Sequence, residues 1–390
     1  MRVAFTLIGS KNWTGGHNYL LNLLIALGQY QKDRLTPVLF VGEACSTDDV
    51  KAFTGISGVE LVKTPLLNAS RRSISLMQAM LLGRDVPLQR LLQLHQIEVV
   101  FEAAQFFGWR LDLPAIAWIP DFQHKVLPHL FSRAAWWKRE IGFRAQVAGG
   151  RTIMLSSDDA RHACEHYYPS TRGRTRTIHF AVPPGPAVTY DEARAVAEPY
   201  GLPIRFFFMP NQFWQHKNHE LVLDALDILR QRGRQVVVAA SGMQVDQRAP
   251  DYFYKFKARL DQTGLAESFL LLGMIPYSDL LILLRSCTAL LNPSLFEGWS
   301  TTVEEARSIG TPMLLSDLDV HREQMGGEAT YFDRHSATSL ADALDSFVPL
   351  DESQREQLAM DARMAAIQRV RQYASDFVEL AEYCKQRWRA

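Results

Sequence analysis

Short, continuous apolar runs recur along this chain, and between them lie segments whose apolar residues follow a helical period. The runs are Val3–Ile8, Pro37–Val41, Glu98–Phe101, Ile116–Ile119 and Thr152–Leu155, then Arg205–Met209, Gln235–Ala240, Ser268–Leu272, Thr288–Leu291 and Pro312–Leu315. A strand that is apolar throughout, rather than at every second residue, is covered on both faces, as in a parallel sheet. His17–Leu27, Glu220–Gln231, Thr301–Ser308 and Ser339–Phe347 supply the helical segments. A chain alternating in this way is predicted to be α/β, with helices on both faces of parallel sheets.

The runs fall into two groups. They are parted by Ala181-Val182-Pro183-Pro184-Gly185-Pro186 and a polar stretch reaching Gly201-Leu202-Pro203. A Pro/Gly-rich break between two βα series reads as a linker. The expectation is two Rossmann-like domains, 1–182 and 203–371, with a final helix of about 372–390 packing back on the first. The length of 390 residues suits two such domains. Sites in these folds lie at the carboxyl ends of the strands, here expected to face a cleft.

Lys plus Arg number 42, and so do Asp plus Glu, leaving no net charge. Binding nucleic acid by neutralising phosphates calls for a basic excess, so no nucleic-acid partner is expected. The cysteines, Cys45, Cys164, Cys287 and Cys384, lie far apart with no C-x-x-C pair, against a disulfide framework or a structural zinc site. Met1–Gly9 is too short for a signal peptide, and no apolar stretch approaches the ~20 residues of a membrane span. A soluble protein of a reducing cytoplasm is expected.

Four constellations carry chemistry. Thr14-Gly15-Gly16-His17 opens a helix after the first strand, where glycine lets a ligand approach backbone N–H groups that favour phosphate. The same pattern is that of a tight βα turn, and the dinucleotide fingerprint G-x-G-x-x-G is missing. Pro210 to His219 follows the first strand of the second half and clusters Asn211, Gln212, His216, Lys217 and His219; Lys217 suits a leaving diphosphate. Third, Asn292 to Ala306 places Glu297 at a strand end and Glu305 near a helix start. Between them, Gly298, Trp299, Ser300, Thr301 and Thr302 offer amides. Carboxylates there accept sugar hydroxyls, while the amides hold phosphate. Fourth, Asp121 and His124 follow Trp118-Ile119-Pro120, where His124 is either a proton carrier or part of a structural turn.

Several patterns have plainer readings. Thr301 with Glu304, and Thr302 with Glu305, each spell a capping box, so one of the two glutamates reads as a cap. Asp317-Leu318-Asp319 reads as loop chemistry rather than a metal site, and Ser156 or Ser157 as a cap for the helix at Asp158-Asp159. His162 and His166 lack a third ligand, so no metal is expected. The segment 131–144, with Phe131, Trp136, Trp137, Lys138 and Arg139, has two readings. It is either an ordinary helix burying its tryptophans or one resting on an anionic membrane surface.

Around Glu297 the chain resembles family 4 of the retaining glycosyltransferases, which have the two-domain GT-B fold. The family pattern E-G-F-G-L-P-x-x-E-A stands here as E-G-W-S-T-T-V-E-E-A from Glu297, and its eight-residue step selects Glu305 for the ligand role and leaves the cap to Glu304. Pro293-Ser294 before it, Gly310-Thr311-Pro312 after it and Leu272-Gly273-Met274-Ile275-Pro276 upstream agree over the second half. The resemblance implies that Glu305 binds the nucleotide ribose and that Glu297 lies beside the donor sugar. It also places Lys217, Gly15 and Gly16 at the diphosphate. Two departures stand out: Gln212 occupies the place of a common family arginine, and Trp299, Ser300 and Thr301 replace Phe-Gly-Leu.

The implied activity is retaining transfer of a sugar from a UDP- or GDP-linked donor to a saccharide or lipid-linked saccharide, in bacterial cell-surface polysaccharide or glycolipid assembly. It needs no cofactor beyond the donor and no metal. Glu297, His124 and Lys217 are the expected catalytic residues. The alternatives are a nucleotide-sugar epimerase of the same fold and a non-catalytic sugar-nucleotide binding subunit.

Overall fold

The computed structural model describes residues 1–9, 14–103, 105–185 and 187–389. Pro186, part of the Pro/Gly-rich run, lies outside them. The described residues form two parallel sheets. The first contains β1 (Arg2–Thr6), β2 (Thr36–Gly42), β3 (Glu60–Thr64), β4 (Val99–Ala103), β5 (Ala115–Trp118), β6 (Thr152–Leu155) and β7 (Thr175–Thr177), in the order β3-β2-β1-β4-β5-β6-β7. The second contains β8 (Phe207–Met209), β9 (Val238–Ser241), β10 (Phe269–Gly273), β11 (Ala289–Asn292), β12 (Met313–Ser316) and β13 (Thr330–Phe332), in the order β10-β9-β8-β11-β12-β13.

Every continuous apolar run holds one of these strands. The strands without such a run, β3, β7 and β13, all lie at sheet edges. An edge strand keeps a flank toward water, so Glu60, Lys63, Arg176 and Thr330 are tolerated there and break the signal.

Helices cover both faces of each sheet. In the second, Phe208, Leu290 and Leu315 point to one face and pack with Leu283, Ala306 and Ile309. Met209, Leu291 and Leu314 point to the other, against Val222, Leu226 and Leu340. In the first, the tilted rings of Phe5 and Phe101 lie 5.3 Å apart and both meet Phe377 of the last helix.

The chain divides into two compact units, one of Met1–His124, Arg133–Ala181 and Arg369–Ala390, the other of Lys125–Ser132 and Val182–Gln368. The helix Glu352–Arg389 serves both: Arg355 Nη1 donates to Cys287 O at 2.7 Å in the second unit, and Phe377 enters the core of the first. The polar stretch read as a linker holds a helix, Tyr190–Ala197, opened by a capping box of Thr189 and Glu192. Ala197 and Leu202 bury against Leu283 and Ile309, and Tyr200 OH donates to Asp279 Oδ2 at 2.6 Å. Small alanines spaced by four made this apolar face easy to overlook.

Each sheet's order reverses once, between β1 and β4 and between β8 and β11. The chain leaves the two strands at such a point in opposite directions, which opens a crevice at their carboxyl ends. In the second unit the loops leaving β8 and β11 carry Lys217 and Glu297.

The helix that carries Glu305, Thr301–Ile309, ends at Gly310, whose φ of +77° is left-handed. A Cβ there would stand 2.6 Å from Leu358 O, so strain and a clash with backbone coincide. Gly310→Ala should lower stability by about 1–3 kcal/mol in chemical unfolding. An unchanged midpoint would show that this helix end does not fix the packing.

Candidate functional site

Two loops meet at the reversal point of the second sheet. After β8 a single turn, Gln215–Lys217, ends in Asn218, a left-handed residue with φ +59°. Asn218 Nδ2 donates to Pro293 O at 3.1 Å and Arg334 O at 3.0 Å, and the Leu295 amide donates to His216 O at 2.8 Å. These bonds fasten the β8 loop to the loop after β11. Lys217 Nζ then lies 2.5 Å from Glu297 Oε1, with the two side chains 13% and 10% exposed.

Behind the pair runs a line of buried polar groups. The Ser294 hydroxyl is 2.7 Å from both Glu297 Oε1 and Asn292 Oδ1. Asn292 Nδ2 donates to Ser300 Oγ at 3.0 Å, and Asn211 Nδ2 approaches Asn292 Oδ1 at 3.5 Å. Ser316 Oγ donates to Ser294 O at 2.7 Å, and His321 Nδ1 is 2.9 Å from Ser316 O. A carbonyl only accepts, so Nδ1 carries the proton. Burial pushes the His321 pKa down, which keeps the ring neutral, and buried Nε2 has no hydrogen-bond partner among the described residues.

Glu305 is buried on the helix Thr301–Ile309, and Tyr277 OH donates to its Oε1 at 2.9 Å. Burial pushes its carboxyl up to about 7, with the Tyr277 bond pulling the other way. Neither sequence-read capping box forms. Ser300 is the N-cap, Thr301 already lies in the helix, and the Ser300 hydroxyl faces Asn292 instead of capping. Glu304, assigned the cap, is 3.4 Å from Arg307 and 3.5 Å from Gln324 Nε2. Among the amides expected to be open, that of Ser300 is already committed to Gln324 Oε1 at 3.2 Å. Thr301 and Thr302 form the first turn, with Gly298 and Trp299 half-buried just before it.

A further cation belongs to this site, and reading the motifs missed it. Arg248, in the loop after β9, lies over the Trp214 ring at 5.2 Å and is steered by Asp246, whose Oδ1 accepts from Nε at 3.1 Å. Burial pushes the pKa of His216 down, and the charges of Lys217 and Arg248 push it the same way. Gln212, in the place of the family arginine, has a buried Oε1 with no partner among the described residues. Tyr277, Ser294, His321 and Gln324 also went unassigned; for Ser294 the signal was its place three residues before Glu297.

The remaining expected residues lie in the first unit. Gly15 and Gly16 occupy the first turn of the helix Thr14–Tyr30. His124 is enclosed: its Nε2 is 3.3 Å from Glu140 Oε2, and the rings of Trp136 and Phe143 flank it. Glu140 also accepts from Tyr168 OH and Arg144 Nε, each at 2.6 Å. In this geometry His124 ties the helix Arg133–Ala148 to the strand-end turn. Ser157 caps the helix Asp158–Tyr167 through the Ala160 amide, and Asp317 pairs with Arg334 at 2.9 Å. The four cysteines are free.

The raised pKa of Glu305 has a stability consequence. Below the ordinary value of 4.5 folded and unfolded chains both hold the proton; between 4.5 and about 7 only the folded chain does. Its contribution is therefore full in acid and is lost as the pH rises through about 7. Glu305→Gln should change stability little near pH ~4 and raise it by on the order of 1–3 kcal/mol at pH ~8. Equal effects at both values in urea unfolding would contradict the burial of an ionisable Glu305.

Residues 200–364 match the family model described as glycosyl transferases group 1. Comparison with curated proteins gives no match. Among solved structures, a glycosyltransferase from Rickettsia africae is similar at a TM-score of 0.72 and 14% identity, covering 98% of each chain. HepE of Anabaena, in complex with UDP and glucose, is similar at 0.69 and 15%, covering 97% of this chain and 98% of that one. Sucrose-phosphate synthase of Thermosynechococcus elongatus follows at 0.67 and 14%, covering 100% and 98%. The chain has the GT-B fold, and its second unit carries the match to the group 1 glycosyl transferases.

Proposed function

We propose that this protein transfers a glycosyl group from a nucleoside diphosphate sugar to a hydroxyl with retention of anomeric configuration. The observation that carries the reading is the meeting of Lys217 and Glu297 at the reversal point of the second sheet, within the segment that matches the glycosyl transferase model. HepE binds UDP and glucose in a structure of similar fold, which supports a UDP-linked donor here. The resemblance to surface-glycan enzymes supports a saccharide or lipid-linked saccharide acceptor.

The reaction breaks the bond from the anomeric carbon to the phosphate oxygen and forms one to the acceptor oxygen. The diphosphate leaves with the electron pair, and its oxygens take the acceptor's proton on the same face. Lys217 and Arg248 meet the departing charge, so Arg248 supplies a cation that Gln212 does not. The first turn of the helix Thr301–Ile309 adds its amides. Glu305 accepts the ribose hydroxyls. Glu297 lies beside the sugar and pairs with the ammonium that the diphosphate must win.

That competition gives the reading a distinctive sign. Glu297→Gln should lower kcat by about 10²–10³ while leaving nucleotide affinity equal or tighter, because Lys217 is released from its partner. Arg248→Met should raise the donor KM by about tenfold. Proton NMR of the product from an α-linked donor should show an α linkage. An inverted product would overturn retention, and an isomerised sugar formed without acceptor would identify an epimerase.

A further inference from the structure

The helix Arg72–Leu81 in the first unit is turned inside out. It buries Ser75 and Ala79, two small residues, and leaves Ile74, Met77 and Leu81 in water, with Leu81 77% exposed. Positions 74, 77 and 81 are three and then four residues apart, so they share one face of the helix. Leu76 and Leu82 are exposed beside them.

A second helix adjoins this one. Ala79 and Met80 pack with Phe106 against Ala145 of the helix Arg133–Ala148. That neighbour exposes Trp137 and Ile141, four residues apart. Its partner tryptophan, Trp136, is turned inward and donates from Nε1 to His124 O at 2.7 Å. The two readings of segment 131–144 thus divide between adjacent residues.

The exposed charges carried by these two helices and by the segment flanking the first have one sign. Lys63, Arg71, Arg72 and Arg84 lie in a stretch, 61–84, that contains no Asp or Glu. Asp85, the next residue, is buried and caps the following helix through the Leu88 amide. The helix Arg133–Ala148 exposes Arg133, Lys138 and Arg144, while its one acid, Glu140, is fully buried. Apolar side chains ringed by arginine and lysine match the boundary of a bilayer bearing anionic headgroups. A second copy of the same face would set cations against cations, which disfavours self-association there. Among the described residues no helix is long and apolar enough to cross a membrane, so such contact is peripheral.

We infer that the adjoining helices Arg72–Leu81 and Arg133–Ala148 form a docking surface for anionic lipid bilayers. The inference rests on exposure and charge, not on glycosyl transfer, and it is tested without nucleotide. Vesicles of phosphatidylcholine alone and of phosphatidylcholine with about a third phosphatidylglycerol should be sedimented with the full-length protein. Binding is expected only to the anionic vesicles, and it should weaken as salt rises. The combined variant Ile74→Ser, Met77→Ser and Leu81→Ser should bind at least about tenfold more weakly with unchanged thermal unfolding. Arg71→Ser with Arg84→Ser should lose the preference for anionic lipid. Absence of binding to anionic vesicles, or equal binding by the triple-serine variant, would overturn the proposal. A lipid-free dimer that the triple-serine variant dissolves would assign the face to self-association instead.

Discussion

The ion pair between Lys217 and Glu297 is the contact on which the rest of the second unit's site is arranged. Its partners lie 80 residues apart in sequence and come from loops that share nothing except adjacent strands, β8 and β11. The parallel pairing of those strands, Phe208 opposite Leu290, sets both loops leaving the same sheet edge. Asn218, held in a left-handed conformation that suits asparagine, then bolts one loop to the other. Two long, mobile side chains would not otherwise share one position, since a poorly enclosed ion pair contributes little.

Behind this pair the protein places polar groups where an ordinary core is apolar. Ser294, Asn292, Ser300, Ser316 and His321 bond to one another from the ends of two strands, β11 and β12, and the segments that follow them. Gln324 accepts from the Ser300 amide and donates to the Ser300 carbonyl, bracketing the start of the helix that carries Glu305. A buried network of this kind costs desolvation, and it is tolerated because its members bond to one another and because it fixes the carboxylates' positions. Glu305 is the exception, a buried acid whose main compensation is one tyrosine hydroxyl. Such a group is poised to accept hydroxyls from a ligand.

The central strands were legible because burial on both faces demands continuous apolar sequence. The edge strands β3, β7 and β13 were not, because one flank meets water. At the site, Glu297 and Lys217 stood out by residue type after strand ends, and Glu305 by its spacing from Glu297. Arg248, Tyr277, His321 and Gln324 did not, since each matters only through a partner brought near by the fold. Glu304 was misread because the helix start falls one residue away from where the capping pattern puts it. The surroundings of His124 were hidden for a related reason: its carboxylate partner, Glu140, lies sixteen residues further on, in another helix.

Calorimetric titration with UDP, GDP, ADP and dTDP tests the central claim most directly, comparing the wild type with Glu305→Ala. The account requires that one nucleotide bind and that the variant lose at least about tenfold in affinity for it, the cost of a hydrogen-bonded carboxylate. Failure of all four to bind, or equal affinity in the variant, would contradict the placement of a nucleotide at the reversal point of the second sheet.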